Sequence, residues 1–200
     1  MLGDDLSFQV ENFLIIFLCY LIGSIPFGLV LTKIFRKSDP RNAGSKNIGA
    51  TNVLRLHGKI FGLLTLILDI LKAFLPLFLV SNYNYQIVTF CSLSIFVGHI
   101  YSFWLKFKGG KGIAVFIGIL IQYSLFYCLI FIFSWLIIFL LFRYSSLAAL
   151  IASIVLLIVS SLFSNNYELG SIIFINFMIF IKHWENIIRL INGKEKKILF

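Results

Sequence analysis

The chain has 200 residues, 60% hydrophobic and 12% charged, with a net charge of +9 and a mean hydropathy of +1.00. A soluble domain of this length is about half apolar and a quarter charged, so the composition excludes one and leaves an integral membrane protein of a single domain, residues 1–200. Because the basic residues fall in segments between apolar runs, the positive charge reads as membrane topology and excludes nucleic acid as the partner.

A membrane-crossing helix needs about 20 apolar residues. In chain order, residues 12–32 supply one span, 60–80 a second interrupted by Asp69 and Lys72, and 83–105 a third. Residues 112–142 are uncharged, too long for one helix and enough for two short ones, with Gln122-Tyr123-Ser124 as the turn. Residues 144–166 give another span, and 169–181 a shorter last one extended by the helix after it. The expected fold is an all-α integral membrane protein of about seven transmembrane helices, with five if 112–142 is not a hairpin.

Charge sets the sidedness. Asp4, Asp5, Glu11 and Glu168 lie where Lys and Arg are absent, whereas the cations cluster at 33–59, 106–111, Arg143 and 182–197. Cationic segments stay cytoplasmic. The N-terminus, 81–86 and 164–169 are therefore expected outside, and the C-terminus in the cytoplasm. Cys19, Cys91 and Cys128 sit far apart in apolar runs, as small core residues do.

Three inner segments carry polar residues that topology alone does not require. The first, 39–59, contains Gly44-Ser45-Lys46-Asn47-Ile48-Gly49-Ala50-Thr51-Asn52 and then Arg55. Its glycines let several N–H groups converge on an anion. Ser45, Asn47, Thr51 and Asn52 add donors, and the Arg55 fork fits phosphate. A helix starting near Thr51 would add its N-terminus. The second reads Lys106-Phe107-Lys108-Gly109-Gly110-Lys111-Gly112 after Gly98-His99. It is no nucleotide loop, because Gly112 rather than Ser or Thr follows Lys111. Its glycines still suit one phosphate, with Lys108 or Lys111 as counter-charge. The third is His183-Trp184-Glu185-Asn186 with Arg189, where His183 and Asn186 share a helical face. Each has a plainer reading: a solvated positive-inside loop, a basic turn meeting anionic lipid, and an amphipathic interfacial helix. Arg143-Tyr144-Ser145-Ser146 is a weaker fourth inner site. Asp69 and Lys72, three apart on a helix, are candidates by their depth, with mutual pairing as the structural alternative.

Other machinery is absent from the sequence. It has no G-x-S-x-G elbow, and no histidine is followed five residues later by aspartate: Gly62, Trp104 and Ile188 occupy those positions. Three isolated histidines offer no metal site, and no cofactor is expected.

Gly23-Ser24-Ile25-Pro26-Phe27-Gly28, the Gly44–Arg55 loop, Gly98-His99 with Lys108-Gly109-Gly110-Lys111-Gly112, and His183-x-Glu185-Asn186 occur in that order. Over nearly the whole chain this pattern resembles the bacterial acyl-phosphate:glycerol-3-phosphate acyltransferases of the PlsY family. The resemblance implies transfer of a fatty acyl group from a long-chain acyl phosphate to the 1-hydroxyl of glycerol 3-phosphate, giving lysophosphatidic acid and phosphate. This is the first acylation of phospholipid synthesis, at the cytoplasmic face of the inner membrane, with an acyl-phosphate-forming enzyme as the supplier. It implies catalytic roles for Ser45, Arg55, Lys111, His183 and Asn186. Substrate binding falls to Asn47, Thr51, Asn52, Lys108, Gly109, Gly110, Gly112 and Ser146. Asp69, Lys72 and Glu185 are structural, and metal and cofactor have no place. Lys46, Trp184 and Val115 depart from the family's usual glycine, basic residue and threonine. His183 is left as either a general base or a substrate-positioning group. A small transporter of a phosphorylated metabolite would need polar groups across the midplane, where only Asp69 and Lys72 stand. A scaffold would leave the glycine-cation loops unexplained.

Overall fold

The computed structural model describes residues 2–198, with side chains from residue 9 onward. The side chains of Asp4 and Asp5 thus lie outside the described residues. Helices are α1 (Leu2–Ser24), α2 (Phe27–Ile34), α3 (Ala50–His57), α4 (Lys59–Leu79), α5 (Tyr85–Ile100), α6 (Ile113–Tyr123), α7 (Leu125–Phe142), α8 (Ser145–Phe163), α9 (Asn166–Lys182) and α10 (Trp184–Ile191), with a 3₁₀ turn at Phe103–Leu105. No strand occurs among the described residues, and the all-helical membrane fold is as the sequence predicts.

Four segments are long and apolar enough to cross a bilayer: α4, α5 carried on to Leu105, α7 and α8. Two bent pairs, α1–α2 at 48° and α9–α10 at 57°, raise the number to six. The predicted hairpin turn is present at Ser124, but α6 has only 11 residues. At 1.5 Å per residue it spans about 16 Å, half of a bilayer's ~30 Å core. The reason lies just upstream. Lys106, Phe107 and Gly112 take left-handed φ values of 51°, 64° and 88°, which keep 106–112 out of the helix.

The run 12–32 is not one straight span. Pro26 has no N–H to donate, so α1 ends at Ser24 and a new helix begins at Phe27. The carbonyl of Ile25, freed by the break, accepts from Lys72 Nζ at 2.7 Å. Ser102 Oγ fastens the Ser24 carbonyl at 2.6 Å.

The packing is α1 on α5, α4 on α6, α7 on α8, α3 on α4, and α9 against α5 and α8. Phe96, Phe116, Phe131, Ile119, Ile172 and Ile175 are fully buried between them. Burying each such side chain is worth about 1.5–3 kcal/mol in water. In lipid the drive comes instead from close packing, and Phe13, Leu141 and Leu162 remain exposed around the outside. At the end opposite the glycine loops, Asn84 and Asn165 cap α5 and α9 by accepting from Ile87 N and Glu168 N, each at 3.0 Å.

Candidate active site

The first loop is wound around Asn52, near the start of α3. Its Oδ1 accepts from Ser45 N at 2.8 Å. Its Nδ2 donates to the carbonyls of Pro40, Asn47 and Ala43 at 2.8, 2.9 and 3.2 Å. Asn52 is 1% exposed, so its carboxamide is fully used within the loop and builds the site rather than offering donors to a ligand. Gly44 turns at φ 65° and Lys46 at φ 57°; lysine thus occupies a left-handed position that glycine takes without steric cost. The buried Ile48 lies so close to α2 that a Cβ on Gly28 would stand 2.0 Å from its carbonyl oxygen. Gly49 caps α3 without a side chain, leaving the helix N-terminus open for an anion. Thr51 Oγ1 lies 3.2 Å from Ser145 Oγ, which ties α3 to the start of α8.

The second loop is laid against the end of α5. Gly110 N donates to the His99 carbonyl at 3.1 Å, and Gly109 N to that of Ile100 at 3.3 Å. Lys111 then turns inward, and its Nζ donates to Asn186 Oδ1. Burial pushes the Lys111 ammonium down to about 8, with Glu195 opposing the fall and Arg189 adding to it.

At the third site, His183 forms the joint between α9 and α10, and both His183 and Asn186 are buried. Its Nδ1 lies 2.9 Å from the Ile179 carbonyl, which only accepts. Nδ1 therefore carries the proton, and Nε2 is the lone-pair nitrogen.

These segments enclose one cavity of about 530 Å³. Ser45, Asn47, Thr51, Asn52, Arg55, Lys111, Gly112, Ser146, His183 and Asn186 all line it, and so does Asp69. Leu66 and Ile70 of α4, Ile117 of α6, and Phe131, Trp135 and Phe139 of α7 line the rest. Trp135 stacks on Phe139 with ring centroids 4.7 Å apart. Arg55 also lines a second cavity of about 360 Å³ with Lys59, Lys196 and Lys197, and its buried Nε has no hydrogen-bond partner. Five of the predicted residues stand apart. Lys108 is exposed, and Gly109 and Gly110 support the loop from behind. Lys72 lies beneath it, 2.7 Å from Asp69. Glu185 has a side chain 84% exposed, 3.5 Å from Arg189.

Two further residues belong to the site. Glu195, in the tail after α10, accepts from Asn186 Nδ2 at 2.6 Å, Ser146 Oγ at 2.8 Å and Arg189 Nε at 2.8 Å. Burial alone would raise its carboxyl, but the bonds from Arg189, Asn186 and Ser146 outweigh this and hold it below the usual range. The tail is fixed on both sides of it: Lys194 N donates to the Arg189 carbonyl at 2.7 Å, Arg55 Nη2 reaches the Lys196 carbonyl at 3.4 Å, and Ile198 N the Arg143 carbonyl at 3.0 Å. His99, the other, is buried and lines the cavity. The only sequence signals were a lone acid among lysines and the histidine of Gly98-His99.

The Glycerol-3-phosphate acyltransferase family model matches residues 13–193. The chain is 47% identical over 189 residues to a glycerol-3-phosphate acyltransferase of Pelagibacter ubique, covering 94% of this chain and 98% of that one. It is 42% identical over 200 residues to one of Bartonella henselae, covering 97% and 95%. Among solved structures it is similar to PlsY (YgiH), an integral membrane glycerol 3-phosphate acyltransferase. The glycerol 3-phosphate form gives a TM-score of 0.90 at 38% identity, and the lysophosphatidic acid form 0.87 at 37%. In both, 94% of this chain and 96% of the solved one are covered.

Proposed function

The chain belongs to the glycerol-3-phosphate acyltransferase family, and on that premise we propose that its donor is a long-chain acyl phosphate and its acceptor the sn-1 hydroxyl of glycerol 3-phosphate. The products are lysophosphatidic acid and inorganic phosphate. The observation that carries this reading is the cavity itself, lined by cations and hydroxyls from the loops and helix starts and by apolar side chains of α4, α6 and α7. Both proposed substrates bear a phosphate, which Arg55, Lys111 and the loop N–H groups suit. One also bears an acyl chain, which the α4–α7 side can take out of water.

The transfer is direct. The sn-1 oxygen attacks the acyl carbonyl carbon, the bond from that carbon to the phosphate oxygen breaks, and phosphate leaves with the electron pair. Acyl phosphate is already activated, so no enzyme nucleophile is needed. Lys111, Arg55 and the α3 N-terminus stabilise the developing charge, Ser45 and the second N–H of Asn186 orient the phosphates, and Ser146, whose one hydroxyl proton goes to Glu195, holds the tail in place. His183 Nε2 can accept from the attacking hydroxyl. Its Nδ1, however, is bonded to a neutral carbonyl, not to a carboxylate that would stabilise an imidazolium. His183 therefore positions the hydroxyl, and the proton passes to the leaving phosphate.

The glycine loops and the cavity gather at one end of the bundle with the basic segments. This supports a cytoplasmic site in a bacterial inner membrane under the positive-inside rule, supplied by an enzyme that makes acyl phosphate. Donor competition tests the reading. Purified protein given palmitoyl phosphate and palmitoyl-CoA in equal amounts should consume only the phosphate. Preference for the thioester would overturn it. His183→Ala should raise KM for glycerol 3-phosphate with kcat largely kept; lost kcat at unchanged KM would restore the base role.

A further inference from the structure

Three buried side chains, Asp69 and His99 on the cavity wall and Lys72 beneath it, are unused in the chemistry above. Asp69 and Lys72 of α4 and His99 of α5 are all under 6% exposed. Lys72 Nζ lies 2.7 Å from Asp69 Oδ1, 2.7 Å from the Ile25 carbonyl oxygen at the α1–α2 break and 2.9 Å from His99 Nδ1. An ammonium has three donors and no lone pair. The nitrogen it meets is therefore the acceptor, and the proton of a neutral His99 sits on Nε2. Asp69 Oδ1 receives no well-aligned hydrogen bond. The carboxylate thus balances the ammonium's charge, while Ile25 and His99 set its direction.

The glycine loop rests on the other side of His99. The carbonyls of His99 and Ile100 accept from Gly110 N and Gly109 N. A Cβ on Gly110 would stand 2.3 Å from His99 Nε2, and one on Gly109 2.0 Å from the His99 oxygen. Neither glycine has room for a side chain, so the turn is held by the imidazole edge as well as by its backbone. The next residue, Lys111, runs from this turn to Asn186.

We propose that Asp69, Lys72 and His99 are positioning residues for the transfer: the charge pair fixes His99 as its Nε2–H tautomer, and that ring holds the Gly109–Gly110 turn so that Lys111 meets the cavity at the right place. The device links the helix break, α4, α5 and the phosphate loop through one ammonium. It rests on the role given to Lys111 under Proposed function.

The first test needs no substrate, so its failure is distinct from failure of the functional reading. In the ¹⁵N spectrum of the wild-type protein with labelled histidine, His99 should show a pyridine-type Nδ1 and a pyrrole-type Nε2. The reverse assignment overturns the proposal. The second test is D69N/K72M, which removes both charges together and so leaves neither buried alone. With an unchanged melting temperature, kcat/KM should fall about 10- to 100-fold, as when outer-shell partners are lost, and the tautomer signature should be lost with it. A folded variant with wild-type kcat/KM overturns the proposal. Should the double variant not fold, His99→Gln, which keeps the ion pair, takes its place with the same two outcomes.

Discussion

Glu195→Gln is the substitution whose effect follows most directly from the geometry of the site. The carboxylate takes three bonds, from Ser146, Asn186 and Arg189, and its side chain is only 10% exposed against 33% for Arg189. Glutamine presents an N–H to the Arg189 Nε–H, so that bond is lost. A hydrogen bond to a charged group is worth about 1.5–3 kcal/mol, and the exposure of Arg189 reduces this to about 1–2 kcal/mol. The bonds from Ser146 and Asn186 change from charge-assisted to neutral, costing about 0.5–1 kcal/mol each. The tail contact then weakens by about 3 kcal/mol, or roughly 100-fold. Asn186 is held between Glu195 and Lys111, so one of its amide's two anchors weakens. Transfer by purified protein should fall about 10- to 100-fold in kcat/KM, with the fold kept. A variant within twofold of wild type would refute the role of the tail in ordering the site.

Four other outcomes are expected. The proposed mechanism requires a charged Lys111 opposite a substrate phosphate, and its pKa is pushed down to about 8; kcat/KM should be flat below that pH and fall above it, about tenfold per unit, with no such limb in Lys111→Met. For stability the sign is opposite: between about 8 and the usual 10.5 the unfolded chain holds more protons, so this group's contribution rises with pH, measurable as melting temperature against pH for wild type and Lys111→Met. Asn52→Ala strips four hydrogen bonds from the first loop and should abolish activity while lowering stability by about 2–3 kcal/mol, whereas Lys46→Gly relieves a left-handed φ and should leave stability unchanged or improved by up to about 1 kcal/mol in chemical unfolding.

The sequence shows its helices plainly because apolar length is read directly, and its cationic loops because charge sorts by side. Direction is harder to read. Asn52 has the composition of a ligand donor, yet a carboxamide with two N–H groups and one oxygen equally suits the inside of a loop, which is where it points. Lys108 and Lys111 look equivalent, but the two glycines between them turn one outward and the other in. Pro26 stands in the open within an apolar run, and only the partners of the freed Ile25 carbonyl show that the break is built. Glu195 was hidden among lysines, because its partner Ser146 is 49 residues away and no local spacing predicts a tail returning to the site.

The central claim is that one cavity joins an acyl phosphate to glycerol 3-phosphate without an enzyme-bound acyl group. The most direct measurement gives purified protein palmitoyl phosphate and labelled glycerol 3-phosphate, with no nucleotide, added metal or acyl-CoA, and follows both products. Lysophosphatidic acid and inorganic phosphate should appear one for one, and Arg55→Ala should lose both together. Absence of lysophosphatidic acid, or an Arg55→Ala variant as active as wild type, would contradict the account.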